Sequence, residues 1–172
     1  MPIYYIDGYN VIYHSSALRP AALSDFEGGR DRLVELVSRF SAATGSRIKV
    51  VFDGIGRRAE NGSITSIAAG VEVLYSPGHQ SADALIEREI YLLADRRDAV
   101  VVSGDGGIRD LCRGLGAMVM SSENFLATIR ETLSRAMLEQ TYRQNGAGIE
   151  RLEDRLTREE RSHIEQLKKH LP

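Results

Sequence analysis

The stretch Ile3-Tyr4-Tyr5-Ile6-Asp7-Gly8-Tyr9-Asn10-Val11-Ile12 reads as a buried strand, an apolar run that delivers Asp-Gly, and an amide three residues on, to its C-terminal end. The same pattern is written twice more. Val50-Val51-Phe52-Asp53-Gly54 repeats it directly, and Val100-Val101-Val102-Ser103-Gly104-Asp105-Gly106 repeats it with a two-residue spacer. In an open parallel sheet the carboxyl ends of the strands share one edge, so acids placed this way converge on one crevice. A turn explains any one Asp-Gly, because Asp bonds its own backbone and Gly supplies a positive φ. Three repeats, joined by Asp83 at a helix start, favour a site.

Outward from these runs the chain alternates strand and helix. His14 to Asp25 reads as a connector holding Pro20, with Ser24 or Asp25 as a cap, and Leu33, Leu36, Val37 and Phe40 form the stripe of a helix ended by Gly45. Ile48 to Phe52 is the second strand, which makes a right-handed crossover unit. Residues 54 to 70 hold four glycines among polar residues with no sustained period and read as a mobile loop. Arg57 and Arg58 in that loop lie just past Asp53, where they meet either a phosphate or solvent.

Val71 to Tyr75 is the third strand, and Ser81 caps a helix that buries Leu85, Ile86, Ile90 and Leu93. Asp83 and Glu87 share a face of it, and the helix dipole alone would favour an acid at Asp83. Ala99 to Val102 is the fourth strand, Asp105 opens the next helix, and Ala117 to Met120 is a short fifth strand. Asp110 stands roughly 140° round the helix from Asp105, a weaker ligand position. Ser121 or Ser122 caps a final helical region with stripes at Phe125, Ile129 and Leu133, then Ile149, Leu152 and Leu156, then Ile164, Leu167 and Leu171. Gln144 to Gly148 reads as its hinge. The fold class expected is α/β, a doubly wound, mostly parallel five-stranded sheet with a helical C-terminal extension. Residues 1–125 form the domain and residues 126–172 the extension, packed on it or projecting from it.

A chain of 172 residues fits one such domain with a continuous core. The net charge of −2 lacks the basic excess common among nucleic-acid binders, but it is unevenly spread. Residues 130–172 carry nine Lys/Arg against eight Asp/Glu, which leaves the acidic excess with the proposed ligands, where a bound cation would offset it. Cys112 is the single cysteine, which excludes an intrachain disulfide or a cysteine-rich zinc site and points to a buried thiol in a reducing cytosol. Asp7 and Asn10 interrupt the N-terminal apolar stretch, and no run reaches membrane-spanning length, so a cytoplasmic protein is expected.

Carboxylates without Cys or paired His suit Mg2+ or Mn2+. Asp7 and Asp105 are the direct ligands expected, with Asp83 direct or through water, and Asp53 either ligates or holds the others. Asn10 cannot titrate, so it orients an acid or a scissile phosphate. Crowded carboxylates repel; a cation removes that conflict, activates water and neutralises charge growing on a phosphodiester. Arg57, Arg58 and Lys49 are the cations available to a leaving oxygen. Tyr9 and Tyr13 either stack unpaired bases or pack between strand and helix, and His14 and His79 are loop residues that could touch substrate. No GxGxxG loop or Walker lysine is present.

Ile6-Asp7-Gly8-Tyr9-Asn10, Val51-Phe52-Asp53, Ser81-Ala82-Asp83-Ala84-Leu85-Ile86-Glu87 and Ser103-Gly104-Asp105 resemble the motifs of the YacP-like NYN-domain proteins, a bacterial branch of the PIN-like nuclease superfamily. The resemblance covers roughly residues 1–125. It implies a PIN-like sheet of strand order 3-2-1-4-5 and a Mg2+- or Mn2+-dependent endoribonuclease, with Asp7, Asp83 and Asp105 on the family's acidic positions, Asn10 on its amide and Asp53 on the acid ending the second strand. Gly106 and Gly107 stand where many PIN-type proteins carry a further acid, which leaves one metal or two open. The substrate expected is single-stranded RNA, in particular mRNA, free or held by the ribosome. The alternatives are an RNA-binding adaptor that keeps the fold without cutting, and a phosphatase for small esters. The phosphatase is disfavoured because Tyr9, not a second Asp, stands two residues after Asp7.

Overall fold

Strands apolar on both faces need helices on both sides, and this chain supplies them in alternation. The computed structural model describes residues 1–54, 64–68 and 70–153, with backbone alone for 64–68 and 145–153. The elements are β1 (Ile3–Asp7), α1 (Gly8–His14), α2 (Arg19–Ser24), α3 (Phe26–Thr44), β2 (Arg47–Phe52), β3 (Ile64–Ala68), β4 (Val71–Tyr75), α4 (Ala82–Leu92), β5 (Ala99–Val102), α5 (Gly106–Gly114), β6 (Met118–Met120) and α6 (Ser122–Glu153), with a 3-10 turn at Arg96–Asp98.

The sheet order is β3-β4-β2-β1-β5-β6. Its five parallel strands are those expected, in the expected order, and β3 is an antiparallel edge strand on β4. The loop expected over 54–70 is corrected at Ile64–Ala68, a segment with no long apolar run, where pairing to β4 supplies what local sequence does not. Arg57 and Arg58 lie outside the described residues.

One cluster, including Ile6, Val50, Phe52 and Val102, packs under α3 and the start of α6; the other, including Tyr5, Val51 and Val101, packs under α4 and α5. Successive residues of β1 thus face opposite layers. Cys112 is buried in the second cluster, and burial pushes its thiol up to about 11, which leaves it unreactive at neutral pH.

Three local readings are revised. The chain enters helix at Gly8, directly after β1, because Asp7 caps it by accepting the Asn10 N–H at 3.1 Å; a buried apolar run such as Val11-Ile12 has the same pattern in either state. The connector holds α2, with Pro20 in its first turn, and Asp25 rather than Ser24 caps α3. The Asp-Gly glycines are not turn glycines: among the described residues positive φ occurs at Gly45, Gly70 and Gly116 only. Gly8 and Gly54 instead leave room for the Phe52 ring and the Ser76 carbonyl, as Gly104, which precedes Asp105, does for the Asn10 side chain.

The chain forms two compact units, Met1–Leu133 and Ser134–Pro172. Phe125 and Ile129 of α6 are core residues of the first, and Leu133 packs against that core. In the second, Met137, Leu138 and Tyr142 are exposed, and the backbone stays helical through Gln144 to Gly148, where a hinge was expected. The stripes expected from Ile149 to Leu156 and from Ile164 to Leu171 lie outside the described side chains. Among the described residues no helix is long and apolar enough to cross a membrane.

Candidate active site

Successive crossovers run outward from β1 on one side and from β5 on the other, so the gap between these adjacent strands is the topological switch point. Asp7 ends β1, Asp53 follows β2, Asp105 follows β5 after a two-residue spacer, and Asp83 lies in the first turn of α4. The four carboxylates share this edge and repel one another. Burial pushes Asp7 up to about 6, with the charges of Asp83 and Asp53 adding to the rise and the Asn10 N–H and Ser103 hydroxyl opposing it. Asp83 is also raised, by burial first and then by Asp105 and Asp53.

Helix capping accounts for three of the four. Asp7 caps α1, Asp105 caps α5 by accepting the Gly107 N–H at 2.7 Å, and Asp53 accepts the Ala82 N–H at the start of α4 at 2.6 Å. Capping does not account for Asp83. Its Oδ1 is buried without a hydrogen-bond partner among the described residues, a costly state for a carboxylate oxygen and one that a cation or a donor would relieve.

Sequence reasoning missed the polar frame beneath the acids. Ser103 is fully buried, and its hydroxyl donates to Asp7 Oδ2 at 3.4 Å while accepting the Asp105 N–H at 3.1 Å, so one side chain links two acids. The two-residue spacer before Asp105 was its only signal. Asn10 Oδ1 accepts the Gly104 N–H at 2.6 Å and the Ser122 hydroxyl at 2.9 Å, tying α1, the loop after β5 and the start of α6 together. The amide oxygen thus bonds the residue before Asp105 and the first residue of α6, and among the described residues no carboxylate. Arg109 donates to the Ser103 carbonyl at 2.6 Å, and buried Ser76 accepts the Gly54 N–H at 3.1 Å.

Other candidates stand elsewhere. Lys49 is corrected as a cation for the leaving oxygen: it lies within β2 and pairs with Glu89 at 2.7 Å, over the Tyr5 ring. The Tyr9 ring packs edge-on against Phe52 and Phe26. Asp110 pairs with Arg113 at the surface. The His14 Nδ1–H donates to the Asn10 carbonyl, 2.8 Å away, and the ring lies close to Gly104.

The donors are all hard oxygens, which suits Mg2+ or Mn2+. Among the described residues no group of three or more His, Cys, Asp or Glu side chains is arranged to hold a metal ion as it stands. An ion of the magnesium type needs no all-protein cage: one or two carboxylates hold it, with water and substrate oxygens completing its shell.

The description YacP-like NYN domain matches residues 4–169. YacP of Bacillus subtilis (strain 168) is 28% identical over 141 residues, covering 78% of each chain. The crystal structure of Rae1 (YacP) from Bacillus subtilis superposes with a TM-score of 0.67 at 25% identity, over 99% of this chain and 96% of that one. A point mutant of the same protein gives 0.69 at 26% identity, over 85% of each. The chain belongs to the YacP-like NYN domain family and has its PIN-like nuclease fold.

Proposed function

We propose that the protein is a divalent-metal-dependent endoribonuclease that hydrolyses phosphodiester bonds of single-stranded RNA, with mRNA, including mRNA on the ribosome, as its natural substrate. The observation that carries the reading is the buried Asp83 Oδ1, without a partner among the described residues and set among Asp7, Asp53 and Asp105. Asp7, Asp83 and Asp105 would hold Mg2+ or Mn2+, one or two of them directly and the rest through water, and the ion when bound supplies Lewis acidity and a water of lowered pKa. Asp53 positions Asp83 through the α4 start, and Asn10 and Ser103 position Asp105. Three helix N-termini at one edge, those of α1, α4 and α5, present partial positive charge to a phosphate. In the reaction a water oxygen bonds to phosphorus, the bond to the ribose oxygen breaks, and the leaving oxygen takes a proton. Arg57 and Arg58 are the cations proposed for that oxygen. The catalytic work is assigned to residues 1–125, and residues 126–172 are the helical extension.

The test is incubation of purified protein with single-stranded RNA in Mg2+ or Mn2+. Cleavage that disappears with chelator and in Asp7→Asn and Asp83→Asn is expected; cleavage that survives both substitutions overturns the assignment. The adaptor reading is favoured by the lack of a three-donor group among the described residues and by Gly106 and Gly107 after Asp105. It predicts RNA binding without cleavage under every metal tried.

A further inference from the structure

A cavity of about 370 Å³ opens between α1, α3 and α6, outside the four acids. It begins next to them. His14 lines it and is bonded to the Asn10 carbonyl, while Glu123, which also lines it, follows the Ser122 that bonds Asn10 Oδ1. The His14 ring stands against Gly104, the residue before Asp105.

The lining has two characters. Leu36 of α3 and Leu126 of α6 give it apolar walls. Exposed Arg32, Arg39 and Arg130 give it three guanidinium groups, none in an ion pair among the described residues. Arg32 and Arg39 are two turns apart on one helix face, a rise of about 10 Å, which is enough to bracket one nucleotide. Glu35 between them and Glu123 of α6 reduce the positive excess, which disfavours a polyphosphate. Carboxylates do suit the exocyclic amino group of a base, and the volume lies at the small end for ligand pockets.

We propose that this cavity is the subsite for one unpaired nucleotide of the RNA, adjoining the scissile position, its base between Leu36 and Leu126 and its flanking phosphates on Arg32, Arg39 and Arg130. The inference rests on the nuclease reading for the identity of the polymer. Among the described residues no Phe, Tyr or Trp lines the cavity, so stacking falls to the His14 imidazole and to guanidinium planes, which RNA-binding sites also use. A carboxylate in the wall favours adenine, cytosine or guanine over uracil.

The experiment measures binding of fluorescent decameric RNA by the full chain in EDTA, so that cutting plays no part. Arg39→Ala/Arg130→Ala is expected to weaken binding at least tenfold and to flatten the dependence of log affinity on log salt by roughly one unit. Leu126→Trp, which fills the space, is expected to weaken it without flattening the slope. Arg97→Ala, at an exposed arginine paired with Asp95, serves as control. Circular dichroism verifies that each variant is folded, and an oligo-A decamer is expected to bind severalfold tighter than oligo-U. Affinity within twofold of wild type in both the double variant and Leu126→Trp overturns the proposal, as does AMP binding more tightly than the decamer. If wild type binds in this variant-dependent way yet never cuts RNA, the nuclease reading fails and the subsite stands. If it cuts while these variants bind normally, the subsite alone fails.

Discussion

The carboxylate of Asp53 accepts a 2.6 Å hydrogen bond from the backbone N–H of Ala82, so the end of β2 fixes the first turn of α4 and with it Asp83. The acid after one strand thus positions the acid on the next helix. Asp53→Ala is expected to cost about 1 kcal/mol in a urea melt, the usual loss for a cap, and to reduce cleavage strongly. Asp53→Asn keeps an acceptor oxygen and is expected to recover most of the stability. Activity recovered in parallel assigns Asp53 a positioning role; stability without activity makes it a ligand.

Asp83 has the least to lose from substitution in the absence of metal. Its Oδ1 has no partner among the described residues and its neighbours repel it, so Asp83→Asn is expected to keep or raise the melting temperature in EDTA while abolishing cleavage. Mn2+ is expected to raise the melting temperature of wild type by several degrees and to leave the variant unmoved, since only a ligand that binds the folded state shifts the transition. An equal shift in both proteins would remove Asp83 from the ion site.

Asp7 makes stability fall as pH rises. Its folded-state value near 6 exceeds the ordinary 3.8, so between these values the folded chain holds a proton that the unfolded chain has released. The penalty is absent below about 4, grows through 6 and is complete by about 7.5, where it is worth on the order of 2 to 3 kcal/mol. Asp7→Asn is therefore expected to be more stable than wild type at pH 8 in EDTA and nearly equal at pH 4. Melts at both pH values measure the difference. A gap that does not widen with pH would show that Asp7 does not titrate in this range.

The parallel strands were legible because Tyr5-Ile6, Val50-Val51 and Val100 to Val102 are buried on both faces and so carry no polar interruption. The helix at Gly8 was not, since Val11 and Ile12 are as apolar as the strand before them and only the cap from Asp7 decides the state. Asp7, Asp53, Asp83 and Asp105 were visible as strand-end or helix-start acids. Ser103, Ser122 and Arg109 were not, because their roles depend on partners distant in sequence, such as Ser122 with Asn10. Lys49 looked free in sequence, and Glu89, forty residues away, engages it.

Asn10 and Gly104 provide a final test of whether the loop before Asp105 must be held in place. Asn10 Oδ1 accepts from the Gly104 N–H and the Ser122 hydroxyl, so Asn10→Ala leaves both donors without their acceptor at a cost of about 1–3 kcal/mol. Asn10→Asp retains an acceptor but adds a charge among four acids, so it is expected to be more stable than the alanine variant and to need more Mg2+ for half-maximal cleavage or to lose it. Gly104→Ala probes the same joint from the other side, because its Cβ would run into the Asn10 side chain and the His14 ring. If the joint positions Asp105, Gly104→Ala is expected to lower kcat at least tenfold with a smaller loss of stability than Asn10→Ala. Unchanged kcat in Gly104→Ala would mean that the Asp105 loop tolerates displacement and that Asn10 serves the fold alone.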